Sequence, residues 1–367
     1  MEQRDMYLLL SSIYRIKNSE IEILKDIFGK LENLMKVDGK EILKIKNLNS
    51  KLLKNIVKYR SYLRIDKIKE FLYNNKIQYV CIKDKDYPSR LTHIYDPPPI
   101  LFYKGDISFL EEEHILAVIG SRTPTQYGLS CVRKLARELS EAGVNIVSGL
   151  ALGIDSEAHM ACIKGKNGKT AAILGSPLDN IRPATNMHVA ENILENGGVI
   201  ISEYFLGSKV NPLNFVFRNR IISGLCEGIL IVEAAKKSGA LTTAKYATEQ
   251  NKDVFAVPGP INSLKSEGCN ELLKDGAHVV MKSEDILEYY KFFPLNNCKD
   301  SIEYDIKDLN CEKVAILDLI KKQGNVNIDD ICNLTGINIK TINSNINELL
   351  IDDYIIEMEN KTYGFNV

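Results

Sequence analysis

With 367 residues, 45% apolar and 26% charged, the chain has the make-up of an ordinary globular protein with room for two or three domains. No run reaches the roughly 18 apolar residues of a membrane span, and the first residues lack the basic start and long apolar core of a signal peptide. Eight scattered cysteines form no CxxC pair, so free thiols in a reducing cytoplasm are expected. The net charge of −1 excludes a global basic field, yet residues 1–75 hold 16 Lys/Arg against 10 Asp/Glu, and residues 311–367 hold 5 against 9.

Residues 1–80 read as a small helical domain. "NSEIEILKDIFGKLENLMK" and "NSKLLKNIVKYRSYLRIDKIKEFL" place apolar residues at helical spacing, with N-caps expected at Asn18–Ser19 and Asn49–Ser50. The turn "IKNLNSKLL" carries Asn47 and Asn49 where a helix-hairpin-helix module would place backbone-binding glycines, so a helical scaffold with solvated lysines is the simpler reading. Residues 81–114, with "YPSRLTHIYDPPPILFYKGD", form a Pro-rich connector into the next domain, because prolines bar a helix and favour extended chain.

From Ile115 to Tyr289 the pattern changes to short apolar strands alternating with amphipathic helices. The strands are "ILAVIG", "VNIVSG", "KTAAILG", "GVIISEY", "GILIVEAA", "DVFAVPG" and "HVVMK". The spacing predicts helices over 126–142, 154–165, 187–196, 214–225, 241–251 and 268–275. The fold class is therefore α/β, with a parallel sheet buried on both faces. Ligands in such sheets bind outside the carboxyl ends of the strands, where the loops "GSR", "SGLALG", "GSP" and "SGALTT" are expected to converge. Residues 290–310 read as a polar linker. Residues 311–367 read as three helices and a hairpin around "ENKT", a winged-helix pattern whose expected recognition helix offers Lys340, Thr341, Asn343 and Asn345. Its net acidity weakens phosphate attraction, so protein contact is an equally good use of it.

The loop motifs point to phosphate. "AVIGSRTPTQYG" ends a strand at Gly120 and opens a helix near Thr125, so backbone N–H groups gather there and Arg122 adds a forked clamp. The loop is not G-x-G-x-x-G, no acidic residue follows the second strand for a ribose, and no Walker pattern occurs, which disfavours nicotinamide and ATP cofactors. Asp155 and His159 stand at i, i+4 on one helix, as a base and its orienter would. Asp155 lies in the first turn, where a carboxylate caps free N–H groups, and no nucleophile or metal-ligand set accompanies the pair, so it reads as support for the loop. Arg218 and Arg220 bracket Asn219 near a helix start; either they pair with acids such as Glu203 or Glu233, or they await phosphate. "KKSGALTTAKYA" supplies Ser238, Gly239, Thr242, Thr243 and Lys245 at another helix start. Several anion sites along one crevice, without an acid/base pair or a metal cluster, suit a polyanion. Tyr127, Phe215 and Phe217 are candidates for base stacking.

The segment Tyr87 to Lys282 resembles the DNA processing protein A (DprA, Smf) family. It does so through "YPSRLTHIYDPPPILFYKGD", "AVIGSRTPTQYG", "SGLALGIDSEAH", "RNRIISGLCEGILIVEAAKKSGALTTAKYATEQNKDVFAVPGPI" and "EGCNELLKDGA". The resemblance implies an extended Rossmann-like domain between an N-terminal SAM-like domain and a C-terminal winged helix. It further implies non-sequence-specific binding of single-stranded DNA, dimerisation through the Rossmann-like domain, RecA recombinase as a partner in natural transformation, and no catalysis, metal or cofactor. The family's phosphate motifs fall on Gly120, Ser121 and Arg122, on Ser148, Gly149, Leu150 and Ala151, and on Arg218, Asn219 and Arg220. Two departures stand out. "GSPLDNIRP" puts Pro177 and Arg182 where the family has glycine and tyrosine; Arg182 either extends the basic crevice or pairs with Asp179. "NFVF" puts Val216 and Phe217 where N-F-P-R is usual. The competing expectation is a Rossmann-like nucleotide-monophosphate hydrolase, whose catalytic glutamate has no counterpart in "KKSGALTTAKYA".

Overall fold

The computed structural model describes residues 3–13, 15–60, 64–112, 114–291, 310–323, 326–351, 354–358 and 362–365. It divides into two compact units, 1–295 and 296–367.

The first unit begins with helices α1 (Gln3–Ile13), α2 (Asn18–Phe28), α3 (Gly39–Leu43), α4 (Ser50–Tyr59) and α5 (Ile65–Asn74). Asn49 caps α4, its side chain accepting from the Lys51 N–H at 2.9 Å. α2 uses a different device: Glu20 reaches back to accept from the Lys17 N–H at 2.9 Å. These helices do not form a separate body. Met6, Tyr7, Leu24 and Leu52 share one buried cluster with Phe102, Leu174 and Ile200 of the sheet.

The sheet itself starts earlier than Ile115. β1 (Gln78–Cys81) and β2 (Ile100–Gly105) pair antiparallel with each other, and β2 pairs antiparallel with β6 (Val199–Ser202). The segment between them holds a short 3-10 helix at Ser89–His93 and brings the prolines 97–99 directly ahead of β2. The parallel strands are β3 (Ile115–Ile119), β4 (Asn145–Ser148), β5 (Thr170–Leu174), β6, β7 (Gly228–Ile231), β8 (Asp253–Ala256) and β9 (His278–Val279). Between them run α6 (Gln126–Glu141), α7 (Ile154–Gly165), α8 (Met187–Glu195), α9 (Pro212–Leu225), α10 (Gly239–Glu249), α11 (Glu267–Lys274) and, last, α12 (Glu284–Tyr290). The spatial order β1-β2-β6-β5-β4-β3-β7-β8-β9 makes nine strands among the described residues. Every residue of β3, β4, β5, β6 and β7 is buried, as helices on both faces require. The chain winds outward from β3 through β4 and β5 to β6, then returns to lay β7 on the other side of β3. That reversal opens a crevice beyond the carboxyl ends of β3 and β7.

The second unit comprises α13 (Cys311–Gln323), β10 (Val326–Asn327), α14 (Ile328–Thr335), α15 (Ile339–Ile351), β11 (Ile355–Met358) and β12 (Thr362–Phe365). The antiparallel sheet runs β10-β12-β11 around a core of Ile316, Ile320, Ile331, Ile342, Ile346 and Leu349. Its described elements are three helices and a paired β11 and β12, with β10 as a further strand on β12. The hairpin tip at 359–361 and the linker at 292–309 lie outside the described residues. Asn345 cannot read DNA from α15: it is buried and donates to the Glu312 carboxylate at 3.2 Å.

Candidate functional site

The crevice at the switch point has a volume of about 770 Å³. Its walls come from the loop after β3 (Gly120, Ser121, Arg122), the loop after β4 with the first turn of α7 (Ala151, Asp155) and the segment 235–240 leading into α10. Pro212, Phe215, Arg218 and Asn219 of α9 close it. Three of the four expected loops thus meet there. The fourth is covered: a Cβ at Gly175 would stand 2.8 Å from the Phe215 ring. That loop's continuation instead reaches a smaller adjoining pocket of about 170 Å³, lined by Arg182, Pro183, Gly149, Phe215 and Arg122.

The helix starts are fixed by their caps. The Thr125 side chain accepts from Gly128 N–H at 3.2 Å, Asn211 accepts from Leu213 N–H at 3.0 Å ahead of Pro212, and Ser238 accepts from Ala240 N–H at 3.3 Å. Glu233, a possible partner for the arginines, instead receives the Thr125 N–H at 3.1 Å and its hydroxyl at 2.6 Å. Asp155 gathers the floor: it accepts from the Gly149 N–H at 3.1 Å, and the Gly120 and Ala151 N–H groups also bond to it. Gly149 is tightly enclosed: a Cβ there would lie 2.6 Å from both Arg218 Nη2 and Asp155 Oδ2.

The two arginines of RNR do different things. Arg218 is buried under the crevice, donating from Nη1 to the Gly149 carbonyl at 2.8 Å and to the Ile173 carbonyl, and from Nε to the Asn219 side chain at 3.1 Å. Burial pushes its guanidinium down to about 10 against the pull of Asp155, and raises the Asp155 carboxyl against the pull of Arg218. Arg220 points away. It grips Glu203 with both terminal nitrogens at 3.2 and 2.9 Å, and donates to the Asp96 carbonyl at 3.1 Å. Arg15 from the segment after α1 joins the same carboxylate at 3.3 Å. Burial opposes the Glu203 charge, but the two arginines outweigh it and hold its carboxyl below the usual range.

Other expected residues are also placed outside the crevice. Ser148 is buried and donates to the Val118 carbonyl at 2.6 Å, tying β4 to β3. Leu150 is buried at φ 55°, and its carbonyl accepts from Asn186 at 3.0 Å. Lys245 is exposed on α10 and lies 3.8 Å from Glu249 one turn on. Arg182 leaves Asp179 to the Gly207 N–H and donates instead to Asn180 at 3.0 Å. His159 does not hold the loop: its Nδ1 is 2.7 Å from the Thr170 hydroxyl, so it ties α7 to β5. Burial pushes its ring down to about 3, so it is neutral at ordinary pH and forms no dyad with Asp155. Among the described residues no cluster of His, Cys, Asp and Glu could hold a metal.

Two cations escaped sequence reasoning. Lys265 enters from the segment before α11 and bonds Ser121 and Thr123, and Lys237 lines the mouth. Arg122 and Lys237 are both exposed, with no side-chain partner among the described residues. Only the Lys-Lys pair before SGALTT hinted at Lys237. Lys265 sits 34 residues beyond β7's end in a stretch with no pattern, and only the sheet order brings it home.

Sheet order and crevice together define a Rossmann-like α/β protein with cations around its switch-point crevice. The family model for DNA recombination-mediator protein A matches residues 78–291, and the chain belongs to that family. It is 38% identical to Protein Smf of Synechocystis sp. over 271 residues, 73% of this chain and 68% of that one. It is 40% identical to DNA processing protein DprA of Streptococcus pneumoniae over 234 residues, 63% of this chain and 80% of that one. The X-ray structure of the S. pneumoniae protein superposes with a TM-score of 0.65 at 32% identity, covering 77% of this chain and 95% of that one. A structure of DNA processing protein A from Helicobacter pylori, described for its single-stranded DNA binding mode, gives a TM-score of 0.53 at 32% identity. It covers 59% of this chain and 97% of that one.

Proposed function

We propose that the crevice holds the backbone of single-stranded DNA without sequence preference. The protein protects incoming strands and helps load RecA recombinase in natural transformation or recombination, acting as a cytoplasmic homodimer with no catalysis of its own. One observation carries the binding claim: Arg122, Lys237 and Lys265 ring an open crevice whose floor charges, Arg218 and Asp155, already answer each other. Cations at the mouth are therefore available to phosphates. Phe215 in the wall offers a ring for stacking. The H. pylori relative's single-stranded DNA mode supports the choice of ligand; RecA and dimerisation rest on the family resemblance.

The test pairs fluorescence anisotropy of a labelled oligothymidine and an equal-length duplex with an assay for base release from nucleoside monophosphates. Preference for the single strand, weakening steeply with salt, and no base release are expected. Base release without DNA binding would transfer the crevice to the hydrolase reading.

A further inference from the structure

A second cavity, of about 610 Å³, lies within the same unit on the other side of the α9 start. Its walls come from the end of α1, from α4 and from the segment 203–209 after β6. Arg15 stands in it, and Lys51 and Lys209 stand at its edge, both exposed and without a side-chain partner among the described residues. Glu203 is the acid in its wall, and Asp96 lies 4.0 Å from Arg15. These two carboxylates face Arg15 and Arg220, so the charge left over is that of the two lysines. On α4 the basic character continues as a helical row of exposed Lys51, Lys54 and Lys58. Lys58 sits 4.8 Å from the ring centroid of Tyr59, which also lines the cavity.

Two adjacent residues of α9 link this cavity to the crevice. Val216 lines the crevice, while the next residue, Phe217, carries the Arg15 guanidinium 5.2 Å from its ring centroid. Leu213, Val216 and Phe217 occupy one face of the first turns of α9 and are 60%, 42% and 43% exposed. An apolar ridge with basic cavities on both sides has the chemistry of a stacking step between two phosphate seats.

We infer that this second cavity seats a further stretch of the same single strand, which leaves the crevice over Leu213 and Phe217 and meets Lys209, Arg15 and Lys51. The inference rests on the single-stranded DNA reading of the crevice and lengthens its track by the helical N-terminal part. It gives the excess of basic residues in 1–75 a use. It also gives one to the unusual Val216 and Phe217.

The test compares oligothymidines of about 6 and about 20 nucleotides, lengths chosen to fill one seat or to span both, on wild type, Lys51→Glu/Lys209→Glu and Arg122→Ala. Both lysines are exposed, and circular dichroism checks that the double variant keeps its helices. The double variant is expected to bind the long strand about tenfold more weakly, with the salt slope smaller by about 1.4 for two lost phosphate contacts. Its affinity for the short strand stays within about twofold of wild type by the same contact count. Arg122→Ala weakens both lengths. An unchanged long-strand affinity in the double variant overturns the inference, and so does an equal loss at both lengths, which would mean a diffuse field rather than a seat. If the wild type binds neither length, the crevice reading fails and takes this one with it.

Discussion

Replacing His159 by asparagine should make the large unit less sensitive to acid. The imidazole is fully buried between α7 and β5, its Nδ1 held by Thr170 and its Nε2 without a hydrogen-bond partner among the described residues. Burial, helped by the nearby Arg218 charge, lowers its folded pKa to about 3 from 6.5. Folding buries the neutral ring, so the unfolded chain takes the proton first. The stabilisation is complete above about pH 6.5 and drains away as the pH falls toward about 3. At about 1.4 kcal/mol per pH unit, going from about pH 7.5 to about pH 4.5 costs the wild type about 3 kcal/mol through this residue alone. Since pH 4.5 is still above the folded value, the loss is set almost wholly by the unfolded pKa. Asparagine keeps a polar atom for Thr170 and cannot titrate. Its own packing cost is the same at both pH values and cancels in the difference. Urea unfolding followed by circular dichroism on both proteins at both pH values measures this difference. An equal pH loss in the two proteins would mean that burial does not hold His159 neutral.

Glu203→Gln should cost about 3–5 kcal/mol in the same unfolding assay, because it strands the buried Arg220 and leaves Arg15 half-answered. With its carboxyl held below the usual range, Glu203 stabilises the wild type above that range, and its contribution is lost only as the pH falls through its lowered folded pKa. Gly149→Ala should destabilise by about 1–3 kcal/mol through overpacking and weaken oligothymidine binding, since the new methyl meets Arg218 and Asp155 at 2.6 Å. Lys265→Ala should weaken single-strand binding and reduce the salt slope by about 0.7, the share of one phosphate contact; an unchanged slope would remove Lys265 from the site.

The parallel sheet was legible because β3 to β7 are continuous apolar runs, and the helices between them were located to within about two residues. β1 and β2 were not. They flank "YDPPP", whose prolines dominate the local pattern, and their strand character comes from β2 pairing onto β6, a contact remote in sequence, with β1 added at the edge of β2. The crevice was legible as a place, since glycine loops at strand ends meet at a switch point. Which side chains face it was less so. Arg218 and Arg220 are two residues apart on one helix, so they point to different sides, one to the crevice floor and the other to Glu203. Sequence offered both options and could not divide them. Ser148 reads as a loop residue, yet it is the last residue of β4 and bonds inward. Lys265 shows the opposite failure, a crevice residue in a segment without any signal.

In the proposed function the crevice mouth, and Arg122 above all, carries phosphate. Anisotropy of labelled oligothymidine across a salt series, on wild type, Arg122→Ala and Lys245→Ala, tests it most directly. Arg122→Ala should weaken binding by about ten- to a hundredfold, the loss of a charge-assisted contact, and flatten the salt slope by about 0.7. Lys245→Ala, on α10 outside the crevice lining, should leave both unchanged. Full binding by Arg122→Ala, or a loss confined to Lys245→Ala, would mean that the crevice mouth does not carry phosphate.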